Sequence, residues 1–281
     1  MKRLILAAMV AALGSAPGAM AQPKNGAPAQ QSKPQGPAPK SKGEQDALVA
    51  LFNAQGKPDE TIAAAEALLT KFADTDFKDT ALFFEATAYQ QKGDTDKAQV
   101  FAERTLAANP KNFQASLMLS EMIAQHTREN DLDKEEKLAK AEKYGNDTIA
   151  TLNAAVKPNP QLTDQQWEDA KKDLIARTHD ALGMAALVRK KYDAAINEFK
   201  MSVEGTAHPE PAYEVRLASA YNSAGKYDEA IATAEKVMAE ADTPTQIKQV
   251  AQSIRAGATV AKQKAAGGTP SGPAQVEVKK Q

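Results

Sequence analysis

The sequence predicts an all-α protein in which antiparallel helix pairs stack into an α-solenoid closed by a C-terminal capping helix. Three observations carry this. Alanine is the commonest residue and Glu, Lys and Gln are abundant, side chains that lose little freedom in a helix. A pattern of small residues, a tight turn and a second apolar stripe recurs along the chain. The one alternating stretch, Val276-Glu277-Val278, is too short to stand as a strand.

The recurrence is clearest in three places. The first runs through Leu82-Phe83-Phe84-Glu85-Ala86-Thr87-Ala88-Tyr89, Lys92-Gly93-Asp94 and Lys97-Ala98 to Leu106 and Pro110. A second has Leu217-Ala218, Tyr221, Gly225 to Ile231 and Val237-Met238. A third has Ala181-Leu182-Gly183, Lys191 to Ile196, Phe199 and Val203. Each reads as helix, turn, helix, and the last two lie about 35 residues apart. Ala86, Gly183 and Ala218 are small where the first helix must approach the second. Gly93 and Gly225 stand where the first helix ends on a left-handed residue. Ala98, Ala195 and Ala230 open the second helix at its closest contact, and Pro110 stops one such helix.

On these residues the chain resembles the tetratricopeptide repeat family. The resemblance implies a superhelix of helix pairs whose first helices line an inner groove, and a function in holding another protein. The groove residues it implies are Phe83, Thr87 and Gln90 in one repeat, Arg177, Asp180 and Met184 in another, and Val215, Ser219 and Asn222 in the last. That surface mixes apolar, amide and hydroxyl groups and suits an extended peptide or a partner helix. One subfamily grips a C-terminal carboxylate with a set of Lys, Arg and Asn. Only Arg177, Arg216 and Asn222 stand in such places here, so that ligand is not expected.

Two further pairs fit the pattern loosely. Gln45 to Phe72 reads as a degenerate first repeat with the exit loop Asp74 to Phe77. Phe113 to Gln125 reads as a first helix, followed by a stretched turn over Thr127–Asp131 and a long helix from about Leu132 to Ala155. Thr163-Asp164 marks a new helix start. The last helix follows Pro244, with Ile247, Val250, Ile254, Ala258 and Ala261 inward and Lys248, Gln249, Gln252, Arg255 and Lys262 outward. The repeat domain is thus expected over residues 45–264, with about five helix pairs and a cap.

The ends read differently. Met1-Lys2-Arg3, an apolar run from Leu4 to Leu13 and the small-x-small end Ala19-Met20-Ala21 form a secretory leader over residues 1–21, cleaved before Gln22. The run is about half the length needed to span a bilayer, and no later run is longer. Residues 22–44 are rich in Pro, Gln and Lys and read as a disordered linker, and 265–281 as a disordered tail. The expectation is an exported protein, periplasmic or extracellular. With no cysteine in the chain, neither a disulfide nor a lipid anchor on cysteine is expected. The similarity of Asp46–Ala108 to repeats of envelope-biogenesis lipoproteins suggests a second role, as a structural part of an envelope assembly.

Composition and motifs argue against other classes. The formal charge is −1, and removal of Lys2 and Arg3 with the leader makes it −3, too balanced to draw nucleic acid. His126, His179 and His208 lie far apart, with no acid at ligand spacing in the chain, so no metal or cofactor site is expected. No nucleophile elbow or phosphate loop occurs, and Ser116 and Ser202 have no neighbouring base, so no catalysis is expected. The run Asp131 to Lys143 pairs Asp133 with Lys137 and Glu136 with Lys140 and reads as a solvated helix. Trp167 reads as a packing anchor, and Asn146-Asp147-Thr148 is a weak glycosylation signal inside a helix.

Overall fold

The computed structural model describes residues 37–158 and 161–267. The expected leader, and the expected linker and tail beyond those limits, lie outside the described residues. Among them, eleven helices follow one another with no strand between. They are α1 (Lys42–Asn53), α2 (Pro58–Lys71), α3 (Lys78–Gln91), α4 (Thr95–Ala108), α5 (Phe113–His126), α6 (Lys134–Ala154), α7 (Asp164–Val188), α8 (Tyr192–Gly205), α9 (Pro211–Ser223), α10 (Tyr227–Ala239) and α11 (Thr245–Ala265). The chain forms two compact units. Among the described residues, one comprises 37–122 with 146–158 and 161–171, and the other 123–145 with 172–267.

The turns within pairs share one chemistry. Gly93 and Gly225 take φ 75° and 76°, the left-handed region that the turn demands. Beside them the Asp94 N–H donates to Tyr89 O at 3.0 Å, and the Lys226 N–H to Tyr221 O at 2.9 Å. These bonds close the C-terminal carbonyls of α3 and α9. The α7–α8 turn makes the same bond, Lys191 N–H to Ala186 O at 2.9 Å, but its left-handed residue is Lys190 at φ 61°.

Some helix starts use side-chain caps, whereas α2, α3, α8, α9, α10 and α11 have none. Asp94 accepts from the Lys97 N–H at 3.1 Å, and Asn112 from the Ala115 N–H at 3.1 Å. At α7, Thr163 Oγ1 accepts from the Gln166 N–H at 3.1 Å while Gln166 Oε1 accepts from the Thr163 N–H at 2.9 Å. This reciprocal box is the new helix start expected at Thr163-Asp164. Helix α1 begins inside the expected linker, because Ser41 caps it through the Glu44 N–H at 3.1 Å.

In the first unit, Leu48, Leu51, Ala65, Leu68, Ala81 and Phe84 form a core between α1, α2 and α3. The three leucines are wholly buried, each contributing about 2 kcal/mol. In the second, Ala195, Phe199, Leu217, Tyr221, Ala230 and Ala258 join α8, α9, α10 and α11. A Cβ built on Gly183 would lie 2.6 Å from a ring carbon of Phe199, so α7 and α8 meet where only glycine fits. Ala86, Ala98, Ala218 and Ala230 are likewise fully buried. The cap α11 packs Ala251, Ile247 and Ile254 on Val215, Ala218, Ala234 and Val237.

Two details depart from the sequence reading. Val250, expected inward, is 47 % exposed, because Ala251 and Ala258 centre the buried face of α11 and Val250 falls beside it. Leu132, expected to open α6, is fully exposed in the loop, and the helix starts at Lys134. The charge pairs of that helix form as expected, Lys137 to Asp133 at 2.9 Å and Lys140 to Glu136 at 2.8 Å.

A device hidden in the sequence fastens the loops between pairs. A carboxylate on a first helix receives donors from the loop about one repeat later. Glu44 of α1 accepts from Thr75 Oγ1 at 2.6 Å. Asp79 of α3 accepts from the side-chain amides of Asn109 and Asn112 at 2.7 and 3.2 Å. Asp173 of α7 accepts from Thr206 Oγ1 and the Ala207 N–H at 2.8 Å each, and from the His208 N–H at 3.1 Å.

Candidate partner-binding faces

The nine expected groove residues divide between the two units. In the first, α3 carries Phe83, Thr87 and Gln90. Phe83 is only 7 % exposed and belongs to the packing. Thr87 is half-buried, its hydroxyl donating to Phe84 O at 2.8 Å, and Gln90 is exposed. The accessible part of this face is therefore hydroxyl and amide.

In the second unit, α7 and α9 are joined through Asp180 and Arg216. Arg216 Nη1 donates to Asp180 Oδ1 at 3.0 Å and lies 2.9 Å from Oδ2. The Asp180 side chain is 8 % exposed and that of Arg216 35 %, so the carboxylate is taken by the arginine and faces inward. Val215 is 8 % exposed in the core under the cap and does not line a surface. Met184 is half-buried against the α8–α10 core, and Ser219 and Asn222 are half-buried on α9. Arg177 is exposed.

Phe83, Asp180 and Val215 thus hold the helices together, and Thr87, Gln90, Arg177, Met184, Ser219 and Asn222 remain accessible. Helical spacing alone could not separate the two groups. The wall residues follow one another every three or four positions, and the buried ones lie on the edge of the same stripe.

Sequence reading passed over the partners of the histidines. His179 Nδ1 lies 2.8 Å from Glu198 Oε2, joining α7 to α8, and His208 Nδ1 lies 2.6 Å from Asp173 Oδ2. Both carboxylates are distant in the chain, so a search at ligand spacing could not find them. Burial alone would raise the Asp173 carboxyl, but hydrogen bonds from His208, Thr206 and two backbone N–H groups outweigh it and hold the group below its ordinary range. Among the described residues no group of three or more His, Asp and Glu is placed to hold a metal ion. Ser202 is fully buried and its hydroxyl has no hydrogen-bond partner. Trp167 is 6 % exposed, with the Lys171 ammonium 5.8 Å from its ring centre. Thr148 of the glycosylation signal is fully buried in α6. Among the described residues no helix is long and apolar enough to cross a membrane.

Comparison with known proteins gives three findings. Residues 215–241, covering most of α9 and all of α10, match the family model of a tetratricopeptide repeat. No curated protein matches the chain. Solved structures match it as a fold. A thermophilic TPR protein of Thermus thermophilus is 20 % identical, with 75 % of this chain and 98 % of that one covered at a TM-score of 0.45. A tetratricopeptide repeat protein of Parabacteroides merdae is 17 % identical, with 83 % and 95 % covered at a TM-score of 0.41. An assembly chaperone of RpL4 (Acl4) is 12 % identical, with 79 % and 99 % covered at a TM-score of 0.44.

Proposed function

We propose that this chain is an exported, non-catalytic scaffold that holds a protein segment against the first helices of its pairs. The observation that carries this reading is the make-up of those faces. Gln90 on α3 is exposed, Ser219 and Asn222 on α9 are half-exposed, and the one acid on the α7 wall, Asp180, is already neutralised by Arg216. Amides and hydroxyls on α3 and α9, and a half-exposed Met184 on α7, favour peptide backbone and apolar side chains over a strongly charged ligand. The tetratricopeptide repeat at 215–241 supports it, since such repeats generally serve as protein-interaction scaffolds. The leader over residues 1–21 supports export, with the mature chain beginning at Gln22.

Photo-crosslinking in cells tests the binding face. A crosslinking residue at Gln90 or Ser219 should capture a protein partner, and the same residue at Val100 of α4 or Met201 of α8, exposed apolar positions on second helices, should not. Adducts from Val100 and Met201 alone would place the contact elsewhere. N-terminal sequencing of the protein recovered from fractionated cells tests export, with Gln22 as the expected first residue.

A further inference from the structure

The strangest residue in the first unit is Glu85. It sits eight positions before the turn residue Gly93, where α9 has Leu217 before Gly225 and α7 has Leu182 before Lys190. All three side chains are buried, Glu85 to 1 % exposure, Leu182 to 7 % and Leu217 to 8 %. A carboxyl group thus fills a core position built for leucine. Its Oε2 is buried without a hydrogen-bond partner.

We propose that Glu85 is a proton-operated latch in the fold: with its carboxyl protonated, α3 packs tightly between α2 and α4, and on ionisation that packing loosens. The charged groups that act on it come one from each neighbouring helix. Glu66 of α2 adds a like charge and Arg104 of α4 an opposite one. Arg104 is exposed and lies over the Phe101 ring, 4.7 Å from its centre, so its charge is spent largely in solvent. Glu44 in α1 shows how a buried carboxylate can be supplied with donors. It is equally buried, but accepts from Thr75 Oγ1 at 2.6 Å and from the Lys40 N–H. Glu85 lacks such donors. Burial first, opposed by Arg104 and reinforced by Glu66, raises its pKa to about 7.

The direction follows from the raised value. The folded state holds this proton more tightly than the unfolded chain, so the contribution to stability is complete below about pH 4.5 and is lost as pH rises through about 7. The carboxylates held below their ordinary range, Asp173 among them, act at lower pH, and His126, His179 and His208 all lie in the second unit, outside the α2–α4 peptides.

Hydrogen exchange of the full chain, corrected for intrinsic rates, tests this peptide by peptide. Over α2–α4 the opening constant should rise about 30-fold from pH 5.5 to 8.5. The rise should vanish in Glu85→Gln and Glu85→Leu and persist in Glu44→Gln. The side-chain carboxyl carbon of Glu85, followed by NMR, should titrate near neutrality. Retention of the wild-type rise in either Glu85 variant, or titration of the Glu85 carboxyl between pH 4 and 5, would overturn the latch. Two variants are used because leucine restores the residue of the other repeats if glutamine leaves an unpaired amide.

Discussion

The α3–α4 and α9–α10 pairs follow one template. Their turns close on Gly93 and Gly225 at nearly the same φ, and their first helices end with the same backbone bond. Ala86 and Ala218 bring each first helix close to its partner, and Ala98 and Ala230 receive it. Yet one pair places Glu85 where the other places Leu217. The backbone is set by small residues at the helix contacts and by a left-handed residue in the turn, glycine in these two pairs and Lys190 between α7 and α8. The larger core position tolerates a titratable group, at a cost in stability that depends on pH. The two pairs teach that the repeat pattern specifies geometry more tightly than it specifies core chemistry.

The largest expected effect comes from exporting the exception. Leu217→Glu should lower stability by about 4 kcal/mol at pH 8, the sum of a lost leucine and a buried unpaired carboxylate. The loss should shrink at pH 5. Urea unfolding at the two pH values measures it, and an equal loss at both would mean that position 217 lets water reach the new group.

Next comes the contact between α7 and α8. Gly183→Ala should cost about 2 kcal/mol, because the new methyl meets the buried ring of Phe199. Thermal melts check this, and Phe199→Leu in the same chain should recover part of the loss by opening space. No such rescue would show that the backbone and not the ring sets the limit.

The smallest effect lies at the third turn. Lys190 holds a left-handed φ of 61° that glycine adopts freely, so Lys190→Gly should stabilise the second unit by about 1 kcal/mol. Its ion pair with Glu129 joins two exposed side chains, and removing it subtracts little. A lower unfolding midpoint in this variant would break the equivalence of the three turns.

These comparisons separate what was legible in the chain. Glycines 93 and 225, the alanines at the helix contacts and the pairing of Asp133 with Lys137 could be read directly, because each acts within a turn or two of its own position. The wall was half legible. Periodicity put Thr87, Gln90, Ser219 and Asn222 on it, but it also put Phe83 and Val215 there, which neighbouring helices cover. The link from Asp180 to Arg216 spans 36 positions and leaves no local signal. Glu85 falls within the repeat pattern, but nothing in its sequence neighbours marks its carboxyl as buried and unpaired.

The residue order by itself determined that the chain would form helices, where the pairs turn back and which small residues let them touch. Those outcomes follow from backbone conformation and local spacing, which each residue carries with it. Only the tertiary structure decided which stripe residues stay open, which carboxylates fasten a distant loop, and that Glu85 lies buried without donors. Solvation of a group depends on what the rest of the chain brings against it, and Glu44 and Glu85, chemically identical and equally buried, differ in the donors that reach them.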